Sequence, residues 1–354
     1  MKILTVVGAR PQFIKAATVS RVLRGESTVQ EVLVHTGQHY DVDMSDVFFE
    51  SMDIPRPSHS LRISGGGHGE MTGRMMERLE GVVEAEAPDW ILVYGDTNST
   101  LAGALVAAKL GRRVAHVEAG LRSHNVRMPE EINRVLTDRV SDLLLCPTEQ
   151  AVRNLAAEGY GALGRRIERN GDVMLDAALF YRDRARPPLR LALKPGAPFA
   201  VATVHRAENT DDPARLRNII TALNELNTRI PVVLPVHPRT RLRLQAQGLQ
   251  PRMSILEPVG YLEMVWLLEH SCLVLTDSGG LQKEAWFFRK PCVTLRDETE
   301  WVELLETGGT RLAGADPPRI RAAIEAALAH TPDYSRDFYG AGDAAERAVR
   351  ALLA

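Results

Sequence analysis

The sequence predicts an α/β fold made of two Rossmann-like halves. Three observations point there. Short apolar strand-like runs alternate with helix-like segments almost throughout, the pattern of parallel sheets covered by helices. The alternation breaks at a proline-rich passage, Arg186-Pro187-Pro188-Leu189 and Lys194-Pro195-Gly196-Ala197-Pro198, and then restarts. Charged and glycine-bearing residues collect just beyond the strand-like runs, at the edge where open α/β sheets bind ligands. The domains read as 1–172, joined by a final helix at about 343–354 that returns to it, and 173–342.

Composition sets the class. A chain of 354 residues is long enough for two domains. With 45% hydrophobic and 25% charged residues and a net charge of -2, it reads as a globular protein without the basic bias of a nucleic-acid binder. No apolar run is long enough to cross a membrane, and the N-terminus begins directly with a strand-like segment rather than a signal peptide. Cys146, Cys272 and Cys292 lie in or beside apolar runs without metal-ligand spacing, as reduced core residues of a cytoplasmic protein would.

In the first half, Lys2 to Val7 is a strand, and Gly8-Ala9-Arg10-Pro11-Gln12 is the turn into a helix, with Pro11 suited to its first turn. The second and third glycines of a dinucleotide fingerprint are missing. Instead Arg10 and Lys15 place two cations at the strand's carboxyl edge. Val32 to Thr36 is the next strand, ending in Gly37-Gln38-His39-Tyr40, and residues 55–67 read as a loop before a helix from about His68 to Glu86. Trp90 to Tyr94 ends in Gly95-Asp96, and Val114 to Val117 ends in Glu118-Ala119-Gly120-Leu121-Arg122. Asp96 could cap the following helix, and Glu118 could pair with Arg122; otherwise both carboxylates face the ligand edge. Pro129, Glu130 and Glu131 open another helix.

In the second half, Phe199 to Val204 ends in His205 and Arg206, and Val232 to Val236 ends in His237. The stretch with the most chemistry follows the apolar run Cys272 to Leu275. Ser278 caps a helix, Gly279 and Gly280 let a ligand reach the backbone, and the free N–H groups of the helix start suit a diphosphate. Glu284 lies one turn on, where a carboxylate could hold a ribose diol. If the two carboxyl edges face each other, a cleft results, with carboxylates and cations on one wall and a phosphate-binding helix start on the other.

The ordered set Gly8-Ala9-Arg10-Pro11, Gly95-Asp96-Thr97, His116-Val117-Glu118-Ala119-Gly120-Leu121-Arg122, Pro129-Glu130-Glu131-Ile132-Asn133-Arg134, Thr203-Val204-His205-Arg206-Ala207-Glu208-Asn209 and Thr276-Asp277-Ser278-Gly279-Gly280 resembles the non-hydrolysing UDP-N-acetylglucosamine 2-epimerases. The resemblance runs from residue 2 into the tail. It implies a glycosyltransferase-B-type fold, a homodimer, and no metal or nicotinamide cofactor. The implied reaction interconverts UDP-GlcNAc and UDP-ManNAc by elimination of UDP to 2-acetamidoglucal and re-addition, feeding surface polysaccharide synthesis. It assigns catalysis to Asp96, Glu118, Glu130 and His205. UDP-sugar binding falls to Arg10, Lys15, His205, Ser278, Gly279, Gly280 and Glu284, and an effector site to Gln38, Arg206 and His237. Where many relatives carry Glu-Arg-Pro-Glu, with the arginine on the diphosphate, this chain has Glu300-Trp301-Val302-Glu303, and Arg296 stands too early to be assumed its substitute. The rival functions are a UDP-sugar-dependent glycosyltransferase of the same fold and a 2-epimerase of a modified UDP-HexNAc.

Overall fold

The computed structural model describes residues 1–38, 49, 52–191, 193–194 and 196–354. His39, Tyr40 and Pro195, expected in a turn and in the linker, lie outside them. The chain forms two compact units, Met1–Ala177 with Phe338–Ala354, and Ala178–Asp337.

The first unit runs β1 (Lys2–Val7), α1 (Arg10–Gly25), β2 (Gln30–His35), β3 (His59–Ser60), α2 (His68–Glu86), β4 (Trp90–Tyr94), α3 (Asn98–Lys109), β5 (Arg113–Val117), α4 (Pro129–Val140), β6 (Leu143–Cys146), α5 (Glu149–Ala157) and β7 (Arg166–Arg169). Its sheet has the order β3-β2-β1-β4-β5-β6-β7, with every pairing parallel. The central strands are buried on both faces, from Ile3, Leu4, Val6 and Val7 to Ile91, Leu92 and Val93. That is why they read as continuous apolar runs rather than alternating ones.

Helix α6 (Val173–Arg182) begins in the first unit and ends in the second. The division thus falls inside this helix, not before it. The second unit continues with β8 (Ala200–Thr203), α7 (Ala207–Thr210), α8 (Pro213–Asn227), β9 (Val232–Pro235), α9 (Pro238–Ala246), β10 (Ser254–Leu256), α10 (Tyr261–His270), β11 (Leu273–Thr276), α11 (Gly279–Phe287), β12 (Cys292–Thr294), α12 (Val302–Glu306), β13 (Thr310–Leu312) and α13 (Pro317–Ala329). Its sheet, β10-β9-β8-β11-β12-β13, is also parallel throughout. The strand order of both sheets reverses at the centre, between β1 and β4 and between β8 and β11. These are the switch points where doubly wound sheets bind ligands. The expected α/β class is therefore what the chain adopts, as the paired Rossmann-like units of the glycosyltransferase-B-type fold. Strands β3 and β13 lie where no strand is expected, because two or three residues carrying His, Ser, Thr or Arg give no apolar run to read.

The last helix, α14 (Ala344–Leu353), rejoins the first unit and packs against α1, burying Ala344, Ala345, Ala348, Val349 and Leu352. Its N-terminus is held by Asp176 of α6, whose carboxylate accepts the N–H groups of Ala344 (3.2 Å) and Ala345 (2.8 Å). Among the described residues no helix is long and apolar enough to cross a membrane. Cys146 and Cys292 are buried, Cys272 is partly so, and all three are free thiols.

Burial raises the Asp176 carboxyl from its ordinary 3.8 to about 6, against the two N–H bonds that pull it down. An acid weaker in the folded than in the unfolded chain favours folding in its protonated form. Its contribution is complete below 3.8 and is lost as pH rises through about 6. Asp176→Asn cannot titrate. The stability of wild type relative to this variant, from denaturant midpoints at matched pH, should therefore fall between about pH 4 and 7. A difference constant with pH would refute the assignment.

Candidate functional site

The switch point of the first unit is built around Gly8, at the end of β1. A Cβ there would lie 2.1 Å from Ser99 Oγ and 2.2 Å from Thr36 Oγ1, so only glycine fits. The turn is fastened by Gln12 of α1. Its Oε1 accepts the N–H groups of Gly8 (2.8 Å) and Ala9 (3.0 Å), and its Nε2 donates to Tyr94 O (2.7 Å) at the end of β4. One buried side chain thus ties together the two strands that flank the switch point. Arg10 is the first residue of α1 and is partly buried.

Both expected carboxylates beyond β4 and β5 are paired with cations. Glu118 forms an ion pair with Lys15, both side chains being largely buried. Arg122, which could have been its partner, instead binds Asp138 (2.7 Å) and Glu158 (2.6 Å). Asp96 binds Arg134 of α4. It is not the cap of α3, because Thr97 fills that role by accepting the Thr100 N–H (3.2 Å). Glu118 adopts φ of +74°, a left-handed conformation that costs a non-glycine residue about 1–2 kcal/mol. Gly95 takes φ of +63°, and a Cβ there would stand 3.2 Å from Glu118 Oε2 and 3.4 Å from Lys15 Nζ. The two strand ends and the lysine therefore converge.

Residues that sequence reasoning left without a role set this geometry. His116 is fully buried, with Nδ1 2.7 Å from Asp138 Oδ1 and Nε2 2.7 Å from Gly95 O. A carbonyl only accepts, so Nε2 donates to Gly95, the neighbour of Asp96. Asp138 also takes the Gly120 N–H (3.1 Å), next to the Glu118 turn. Burial pushes the Asp138 carboxyl up, but His116 and Arg122 outweigh it and hold the group below the ordinary carboxylate range. On α4, Asn133 donates to Asp96 O (2.9 Å), and Arg134 also binds Glu131 (3.1 Å). Asn133 and Arg134 fall one turn after Glu130, a spacing that could have marked them in the sequence. Glu130 itself is exposed. Its neighbour Glu131 is buried and accepts the N–H groups of Ser123 (3.0 Å) and His124 (2.9 Å), which fixes the loop before α4.

In the second unit the hub is Asp277, fully buried just after β11. It accepts the N–H groups of His205 (3.0 Å) and Arg206 (3.0 Å), the Asn209 amide (3.1 Å) and the His205 ring at Nδ1 (3.1 Å). Burial raises its carboxyl, yet the His205 contacts and these hydrogen bonds more than offset that and lower it. The His205 ring stays 41% exposed, with Nδ1 committed to Asp277. Ser278 caps α11 by accepting the Leu281 N–H (3.4 Å). Gly279 is buried and Gly280 exposed at the helix start, and Glu284 is buried one turn on.

The three residues expected at an effector site have local roles here. Gln38 Oε1 accepts the Ser99 N–H (3.0 Å) and hydroxyl (2.8 Å) in the first unit. In the second, Arg206 precedes α7, and His237 caps α9 by accepting the Arg239 N–H (3.2 Å). The His205 and His237 rings lie 6.3 Å apart. Among the described residues no three His, Cys, Asp or Glu side chains group as metal ligands.

The sequence model of one family, described as UDP-N-acetylglucosamine 2-epimerase, matches residues 21–353. The chain belongs to the UDP-N-acetylglucosamine 2-epimerase family. It is 55% identical over 353 residues, 99% of each chain, to the UDP-2,3-diacetamido-2,3-dideoxy-D-glucuronate 2-epimerase of Pseudomonas aeruginosa. Its fold superposes with a TM-score of 0.90 on the crystal structure of Methanocaldococcus jannaschii UDP-GlcNAc 2-epimerase in complex with UDP-GlcNAc and UDP, at 40% identity, covering 100% of this chain and 99% of that one. The Neisseria meningitidis UDP-GlcNAc 2-epimerase bound to UDP-GlcNAc gives 0.88 at 30% identity, covering all of both chains. In this member of the UDP-N-acetylglucosamine 2-epimerase family, the buried Asp138 network underlies the loops that carry Asp96 and Glu118.

Asp138→Ala would leave the buried Arg122 guanidinium with Glu158, a partly exposed carboxylate, as its remaining counter-charge, and His116 without its acceptor. Breaking one side of such a pair costs about 3–5 kcal/mol. Urea unfolding of this variant should show a loss of that size, and a loss below about 1 kcal/mol would count against the network.

Proposed function

We propose that this protein inverts C2 of a UDP-linked 2-acetamido sugar. One observation carries the reading furthest: Asp96 and Glu118 stand just beyond the neighbouring strands β4 and β5, each with its own cation. Inversion at carbon needs a proton removed from one face and returned to the other. Two carboxylate positions at two strand ends suit that task. In the step proposed, one carboxylate takes the C2 proton while the C1–O bond breaks. The electron pair of the C–H bond forms the C1–C2 double bond of the glycal, and UDP leaves with the bonding pair from C1. UDP oxygen then re-adds at C1, and a proton is delivered to C2 on the opposite face. Lys15 and Arg134 hold the carboxylates in place. Glu130, exposed at the start of α4, is assigned as a further acid–base group.

The leaving diphosphate gains charge as the C1–O bond breaks. Groups that bind it better then than before lower the barrier. The Ser278-Gly279-Gly280 start of α11, with its free N–H groups, and the exposed side of His205 are assigned to it, together with Arg10. Glu284 is assigned to the ribose. Gln38, Arg206 and His237 are assigned to binding an effector UDP-sugar, and the working form is taken to be a homodimer, which light scattering checks.

For the sugar, the 55% identity to the Pseudomonas enzyme, against 40% to the Methanocaldococcus UDP-GlcNAc 2-epimerase, favours a modified UDP-HexNAc, with the 2,3-diacetamido-glucuronate first in line. UDP-GlcNAc, giving UDP-ManNAc, is the second candidate. Incubating the protein with each and reading C2 configuration by NMR decides between them. Turnover that requires an added sugar acceptor would point to a transferase instead.

In heavy water, product should carry deuterium at C2. Glu118→Gln and Asp96→Asn should each cut turnover by about 10²-fold or more, the usual scale for one acid–base group, while UDP still binds. His205→Asn should slow turnover by a similar ~10²-fold through the leaving group. Epimerised product with C2 fully protonated in heavy water would defeat the mechanism.

A further inference from the structure

The start of α11 holds a second feature besides its cap. Gly279 carries no side chain, and the space where its Cβ would stand is taken by the protein's own carboxylate. Glu300 Oε1 occupies that point, and Arg296 Nη1 lies 3.8 Å from it. Arg296 is 1% exposed and donates to Glu300 Oε2 at 2.9 Å, and its Nε is buried without a hydrogen-bond partner. A carboxylate beside the first residue of a nine-residue helix stands where an anion is favoured by the helix dipole and the free N–H groups. A buried guanidinium that reaches the same point adds a fixed positive charge, in a fork shaped for two anionic oxygens.

The segment around Glu300 is anchored on both sides. Thr299 Oγ1 donates to Gln282 Oε1 of α11 (2.8 Å), and the Trp301 N–H donates back to Thr299 Oγ1 (3.2 Å). Lys283 of α11 stands over the Trp301 ring at 4.2 Å. The backbone before and after Glu300 is thus docked on α11 independently of the Glu300 carboxylate. That side chain can swing away by rotating its own torsions while the loop stays in place.

The geometry points to a counter-ion exchange at this helix start: the Glu300 carboxylate fills the anion position when no ligand is bound, and an incoming diphosphate displaces it and takes over Arg296. The inference rests on the nucleotide reading of α11 and adds to it a specific competitor and a specific cation. Arg296 thereby becomes a diphosphate-binding residue contributed from the end of β12, although Trp301 stands where relatives with the Glu-Arg-Pro-Glu sequence carry their arginine. The exchange conserves charge, since the guanidinium passes from one anion to another. Glu300 is left to turn toward water.

Isothermal titration with UDP and with uridine, on wild type and Glu300→Gln, tests this. Glutamine keeps the size and the acceptor for Arg296 but removes the competing charge. UDP affinity should rise by about 10-fold, the effect of relieving a modest ~1.4 kcal/mol competition, while uridine, which has no phosphate, binds both proteins equally. Arg296→Lys retains the charge but not the fork, and should weaken UDP by about 10-fold with uridine again unchanged. Circular dichroism on the same samples establishes that each variant is folded. Equal or weaker UDP binding by Glu300→Gln overturns the exchange and leaves the nucleotide reading standing. Absence of UDP binding by wild type and Glu300→Gln alike overturns both.

Discussion

Both switch points depend on a carboxylate with no access to solvent. Asp138 and Asp277 are each fully buried, and a buried charge is tolerated only where its lone pairs are met. Each therefore draws in a histidine and at least one backbone N–H from a neighbouring loop. In the first unit the histidine is consumed by this arrangement. His116 spends one nitrogen on Asp138 and the other on Gly95 O, and its effect is to fix two loops relative to each other. In the second unit His205 spends one nitrogen on Asp277, while its ring stays partly open to solvent. The same Asp–His pair serves as a clamp in one sheet and as a mounting for a partly exposed ring in the other.

The pairing of the carboxylates bears on how the site is pre-set. Glu118 sits in a backbone conformation that glycine would occupy more easily, between two glycines that are also left-handed, Gly95 across the sheet and Gly120 along the chain. Such strain persists only where surrounding contacts over-determine it. Here those contacts are the Lys15 ion pair, the Glu118 N–H bond to Leu145 O (3.0 Å), and the Asp138 bond to the Gly120 N–H. Orientation of the Glu118 carboxylate is therefore settled by the fold itself.

The fold class was legible because parallel strands buried on both faces must be apolar along their whole length, and runs such as Trp90 to Tyr94 and Leu143 to Cys146 cannot hide that. The edge strands β3 and β13 were not legible, since strands of two and three residues owe their existence to a neighbour's ladder rather than to their own composition. At the site, positions beyond strand ends could be read, but partners could not. Lys15 reads as a cation for a ligand, and it is bound to Glu118; the alternative that Asp96 caps the next helix fails because Thr97 takes that role, and the partner of Asp96, Arg134, could not be read. Asp138 lies on a helix twenty residues past Glu118 and carries no local signal at all. Arg296 shows the same limit from the other side, because its approach to Gly279 depends on how the chain beyond β12 folds back over α11.

Helix α14 completes a unit that the chain begins building at Met1 and leaves at α6. Everything in the second unit is synthesised before that helix exists. During translation the second unit can close its own core while the first still shows the face of α1 that α14 will cover, together with the unused carboxylate of Asp176. The order of assembly is thus written into the connectivity: the second unit first, the first unit last, with the nascent chain holding an uncovered face of α1 in the interval.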